Sequence, residues 1–364
     1  MAEVRAGSRG LWPGGGESGG GATGEVLEAI RIQLGELGAP HLPSLPLLPG
    51  RGPVADPIGR TAAMLVEMPV DLQSYGWRLT SREGSDGRRA RNFLRSDVNA
   101  LADVVGARES TVPDLALHLV GPLTLAAGVH LPLGERALAD PGARRDLAQS
   151  QRDGFPEQLR AVREATPGTR LTVVVDEPEA ARALAGMIPT VSGYRSLRSV
   201  PRSEAQLLWR EMRTALLNAG ASEVCLAVPL EVLAQAREAG LDSVQVDPAE
   251  GGAHRWDPAS WEPLAAWLDQ GRQLTLRLPG MNSSGGRPSG ARPAVGRLPG
   301  GSGVAETARA FWRLWRELGL GAETLGALRL VEAGDLSLGT PAQAQAALGH
   351  STAVAAALTE LAQS

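Results

Sequence analysis

The chain has 364 residues, 43% of them hydrophobic, enough to bury a sizeable core as one large α/β unit or as two average domains. Its formal net charge is −4 and its arginines are scattered singly, with no stripe that could neutralise a phosphate backbone, which argues against a nucleic-acid partner. All 36 basic residues are arginine and Cys225 is the only cysteine, which excludes lysine Schiff-base chemistry, phosphate-loop lysines, intramolecular disulfides and zinc sites needing two thiolates from one chain.

No window approaches the roughly twenty apolar residues of a membrane span, and the N-terminus lacks an apolar signal segment, so a cytoplasmic protein with no membrane partner is expected. Residues 1–25 are rich in Gly and Ser and read as a flexible segment that carries a first strand, Gly10 to Trp12, ahead of a single domain over 26–364. Gly19, Gly21 and Gly24 have the spacing of a dinucleotide fingerprint, but no apolar strand leads into them, so they read as loop. Further strands are predicted at Gly76–Leu79, Leu115–Val120, Leu171–Val175, Glu223–Val228, Ser243–Val246, Leu274–Leu278 and Leu328–Val331. Between them, Glu25–Leu37, Arg88–Val105, Pro141–Val162, Ser203–Ala219, Pro229–Ala239, Pro258–Gln270 and Ala305–Leu318 carry apolar residues at helical spacing. Gly220, Gly240, Gly271 and Gly319 follow four of these helices as left-handed terminators. Strands alternating with helices predict the α/β class and a TIM (β/α)8 barrel. The Gly, Pro, Ser and Arg tract at 280–303 reads as a disordered insertion, with a lid as the alternative.

In such a barrel the active site is built at the carboxyl ends of the strands. Asp176 and Glu177 end a strand in front of Pro178, where one acid could hold a ligand ammonium or could instead cap the next helix. Cys225 lies within a strand, where free cysteines are usually small apolar core residues. His41 lies in a Pro-rich loop that could face the site, and His118 in an inner strand whose facing is open between site and core. His130, His254 and His350 read as surface residues, and Trp256, Trp261, Trp267, Trp312 and Trp315 as packing between helices and barrel.

Several longer stretches resemble the C-terminal catalytic barrel of the cobalamin-independent methionine synthases, in particular a short actinobacterial branch of that family. They are His41-Leu42-Pro43-Ser44-Leu45-Pro46, Arg51-Gly52-Pro53 through Ile58-Gly59-Arg60-Thr61-Ala62, Val70-Asp71-Leu72-Gln73 with Gly76-Trp77-Arg78-Leu79, and Gly121-Pro122-Leu123-Thr124-Leu125-Ala126. Leu133 through Arg144, Asp176-Glu177-Pro178 and Arg313 through Leu320 complete the set, spanning roughly residues 10–350. The resemblance implies homocysteine S-methyl transfer from a folate donor in methionine biosynthesis, with a zinc ion presenting the homocysteine thiolate. It places Asp176 beside the substrate amino group, and Trp12 in the opening element Gly10-Leu11-Trp12-Pro13 that helps hold the substrate carboxylate, with Leu11 where the family has a serine. It also puts Cys225, Ala227 and Gly334 where the zinc ligands His, Cys and Cys should stand, with Glu332 and Asp335 the nearby groups able to bind a metal. The expectation is a methionine-synthase-like barrel without a cofactor metal, with an amino acid or folate as small-molecule ligand. The alternatives are a non-catalytic binding barrel and an enzyme resembling uroporphyrinogen decarboxylase, in which Arg51, Arg60 and Arg78 would bind anionic groups.

Overall fold

The strand sequence Asp-Leu-Ala-Leu-His-Leu-Val at 114–120 puts three leucines on one face and Ala116, His118 and Val120 on the other. The computed structural model describes residues 3–14, 21–248, 258–278 and 302–363. Its strands are β1 (Arg5–Gly7), β2 (Val70–Gln73), β3 (Gly76–Leu79), β4 (Asp114–Val120), β5 (Val129–His130), β6 (Arg170–Asp176), β7 (Glu223–Ala227), β8 (Ser243–Val246), β9 (Gln273–Arg277) and β10 (Leu328–Val331). Its helices are α1 (Gly21–Glu36), α2 (Pro57–Ala62), α3 (Ser85–Gly106), α4 (Pro122–Gly128), α5 (Pro141–Ala165), α6 (Ala180–Ala185), α7 (Arg202–Asn218), α8 (Leu233–Glu238), α9 (Pro258–Leu268), α10 (Ser302–Glu317) and α11 (Pro341–Gln363).

Seven strands form a parallel sheet in the order β1-β10-β9-β8-β7-β6-β4. Residues 42–47 fill the gap between β1 and β4, with parallel bridges from Leu42 to Gly7, Leu47 to Leu11 and Ser44 to Ala116. Leu42 N donates to Ala6 O at 2.9 Å, Leu45 N to Ala116 O at 3.0 Å, and Ala116 N to Pro43 O at 2.8 Å. Pro43 and Pro46 have no N–H to contribute, so this eighth stave closes the ring without becoming a regular strand. Parallel staves wrapped by helices make the architecture a (β/α) barrel, the class expected from the sequence.

Two strand expectations need correction. The first stave is Arg5–Gly7, not Gly10–Trp12, which lies beyond it in the loop over the ring. Gly76–Leu79 is a strand but not a stave: β3 pairs antiparallel with β2 and parallel with β5 in a separate three-stranded sheet. The remaining staves and the long helices fall close to their predicted ranges, and the four helix-ending glycines all adopt positive φ. Asp140 starts α5 by accepting from Ala143 N at 2.9 Å, with Pro141 in the first turn. The terminal helix α11 and the short helices α2, α4 and α6 were not foreseen.

Leu115, Leu117 and Leu119 join the large outer core together with Phe155, Trp209, Trp267 and Trp315, each such burial contributing roughly 1.5–3 kcal/mol. Trp261 is buried with them, as the packing expectation for these tryptophans requires. The inner faces form a separate small cluster of Leu42, Ala116, Val174 and Cys225, with Ala227 packed on it. Towards the amino-terminal end lies an ionic layer in which Glu223 accepts from Arg329 Nη2 at 3.1 Å and Ser243 Oγ at 2.6 Å. The tract 280–301, residues 15–20, His254 and Trp256 lie outside the described residues.

Candidate functional site

Alternation turns His118 and Asp176 into the ring, above the apolar cluster and at its carboxyl end. His118 Nδ1 lies 3.0 Å from Asp176 Oδ2, and Nε2 lies 3.2 Å from the Ser8 carbonyl. A carbonyl only accepts, so Nε2 carries a hydrogen. The Nδ1–Oδ2 contact is then attractive only if one more proton lies in it, so the pair together is an imidazolium with a carboxylate or its neutral equivalent. Burial alone would lower the His118 pKa, but the Asp176 charge and hydrogen bond, the Ser8 carbonyl and the Glu332 charge outweigh it and the pKa stands above its usual value. The imidazole is fully buried, whereas the Asp176 side chain is 30% exposed, so the carboxylate is the face of the pair that a ligand would meet. Gly10 makes the approach possible: its φ is +80°, and a Cβ there would lie 2.7 Å from His118 Cδ2.

Around this pair the loop after β10 brings Glu332, buried and accepting from Arg9 N at 2.9 and 3.2 Å, while Arg9 Nη1 donates to Gly334 O at 3.0 Å. Burial raises the Glu332 carboxyl, with the charge and backbone N–H of Arg9 opposing it. On the far side, Arg277 at the end of β9 donates to Asp247 after β8 at 2.9 Å. The sequence reading singled out neither Arg277 nor the pairing of His118. The signal for His118 was present in the leucines at every second position of β4, which assign the intervening residues to the inside.

The other predicted residues are engaged elsewhere. Glu177 is completely buried, with Oε1 accepting from Leu123 N at 3.0 Å and Trp209 Nε1 at 2.9 Å, and Oε2 from Thr124 N at 2.7 Å. Its carboxylate caps the start of α4, a neighbouring helix and not the one that follows it in sequence, and no acceptor is turned to a ligand. Burial pushes its pKa up, against the three donors. Trp12 is 2% exposed within the outer core. His41 sits before the first bridge of the closing stave, where Nδ1 accepts from Ala6 N at 3.1 Å and burial lowers its pKa. Arg51 donates twice to Asp97 at 2.8 Å, Arg60 bonds the same carboxylate, and Arg78 bonds Asp71 at 2.7 Å, so each of these guanidinium groups is paired with an acid of the chain itself.

The donor set does not fit zinc. Cys225 is buried in the apolar cluster, where burial pushes its thiol to about 12 and disfavours the thiolate a metal needs. Ala227 has no donor atom, Gly334 offers only a backbone carbonyl that already accepts from Arg9, and Asp335 is used in capping Ser337 N at 3.0 Å. Among the described residues no group of three His, Cys, Asp or Glu side chains converges as a metal site.

The fold defines an α/β barrel with a His–Asp pair at its mouth. No known family matches the sequence and no curated protein matches it. Among solved structures, a B12-independent methionine synthase from Shewanella sp. W3-18-1 in complex with selenomethionine is similar with a TM-score of 0.58 and 10% identity, covering 99% of both chains. A GH113 beta-1,4-mannanase follows at a TM-score of 0.47 and 11% identity over 100% of both. The first likeness establishes the shared fold, and the second is too distant to bear on function. No helix among the described residues is long and apolar enough to cross a membrane.

Proposed function

We propose that this chain is a methionine-synthase-like barrel that binds a small amino acid without zinc-thiolate chemistry, the ligand ammonium resting on the outward oxygen of Asp176. The observation that carries the reading is the contrast within one ring: Asp176 is held at the mouth, partly exposed, while the ligand positions of the metal are filled by Cys225, Ala227 and Gly334. The methionine synthase of like fold was solved with selenomethionine, an amino acid, which agrees with this ligand class. Folate-dependent methyl transfer to homocysteine, the activity the sequence resemblance implies, has no thiolate-activating group among the matched positions, so the proposed role is binding.

Calorimetric titration with methionine and homocysteine tests it. Saturable binding is expected, weakened at least about tenfold in Asp176→Ala, the loss of one charge-assisted contact of roughly 1.5–3 kcal/mol. Absence of binding by either amino acid, or methyl transfer at an appreciable rate once zinc is added, would sink the reading.

A further inference from the structure

The ammonium and His118 compete for one carboxylate. Asp176 Oδ2 is already engaged by Nδ1, and Nε2 is committed to the Ser8 carbonyl, so the imidazole can shed its shared proton but cannot turn away from the acid. Among the described residues, the charged groups facing the imidazole are Asp176 from β6 and Glu332 from the loop after β10, with the Arg9 backbone N–H held on Glu332 from the β1 side. The closing stave presents no titratable group at this level, since Ser44 bridges Ala116 and the residue two further on, level with His118, is Pro46. A bound ammonium would therefore place a second cation against a buried imidazolium that only one exposed carboxylate neutralises directly. Like charges a few ångströms apart beside a buried ring repel one another, and this repulsion favours release of the shared proton when the ammonium binds.

We propose that binding of an ammonium-bearing ligand at Asp176 expels the proton shared with His118, so that ligand and proton compete and the site takes its amino acid in a pH-dependent manner. The inference rests on the amino-acid reading above. On binding, the Nδ1–H proton leaves to solvent, the imidazole stays neutral with its hydrogen on Nε2, and the partly exposed Asp176 carboxylate turns from Nδ1 to the ammonium, so that no carboxylate oxygen is left against the bare ring nitrogen. The sign follows: while the pair is protonated in the free protein, each unit rise in pH strengthens binding about tenfold, and above its titration the affinity is flat. Because the imidazole titrates above its usual value, the rising limb extends past the ordinary histidine range.

The test is calorimetry of methionine binding between about pH 6 and 9 in buffers of different ionisation heat. Close to one proton released per methionine at the low end, falling towards none at the high end, is expected. In His118→Asn, whose amide can still donate to Asp176 but cannot titrate, the affinity should lose its dependence on pH. Binding that is independent of pH and buffer in the native protein would overturn the proton competition while leaving the amino-acid reading intact. Absence of binding at every pH would overturn both. Nitrogen-15 spectra of the imidazole with carbon-13 spectra of the Asp176 carboxyl give a readout without ligand: one proton held by the pair besides the Nε2 hydrogen near neutral pH is expected, and a singly protonated ring beside an ionised Asp176 would refute the proposal.

Discussion

At the scale of single residues, the mouth depends on one glycine as much as on its charged groups. Gly10 combines a backbone conformation that L side chains rarely adopt with contact against the His118 ring. Gly10→Ala should destabilise the chain by about 1–3 kcal/mol in urea unfolding and displace the imidazole from Asp176, and an unchanged midpoint would show that the loop over β1 is free to move. The sequence places Asp176 at a strand end but leaves the direction of His118 open, for a physical reason. A strand-end acid is exposed to inspection by its Pro-containing turn, whereas a histidine within a strand reveals its direction only through the pattern of its neighbours.

Elements are joined at the site by a carboxylate with no exposed surface. Glu177 ties the end of β6 to the first turn of α4 and to Trp209 of α7, and Gly121 permits it, since a Cβ there would fall 2.4 Å from the Glu177 carboxyl carbon. All three neighbours donate, so an amide in its place must turn a donor towards a donor. Glu177→Gln should therefore cost about 1–3 kcal/mol of stability by denaturant unfolding, and a loss within experimental scatter would mean that the clamp is dispensable. The sequence offered the capping alternative for this acid but not the helix concerned, because the partner lies some fifty residues earlier in the chain and only the fold brings it near. The closing stave 42–47 was hidden in the same way. Its prolines remove the alternation that marks a strand, and the more regular strand at Gly76–Leu79 was placed in the ring instead.

Over the whole molecule, the staves that were legible are those with leucine or valine on the helix-facing side and small or polar residues within. The likeness in fold to a methionine synthase follows from that layering, while the chemistry depends on a few inward positions that the layering leaves free. A barrel has no free strand edge, yet two of its eight joints, those on either side of the closing stave, are made of intermittent hydrogen bonds across proline-bearing backbone. Those joints are where the hoop should first come undone. In deuterium exchange, the amides of Leu42, Leu45 and Leu47 are expected to exchange well before those of Leu171 to Val175 in β6, and equal protection around the circumference would contradict it. Parting there would wet the imidazole from the side, giving its proton a route to water that does not pass through an occupied mouth.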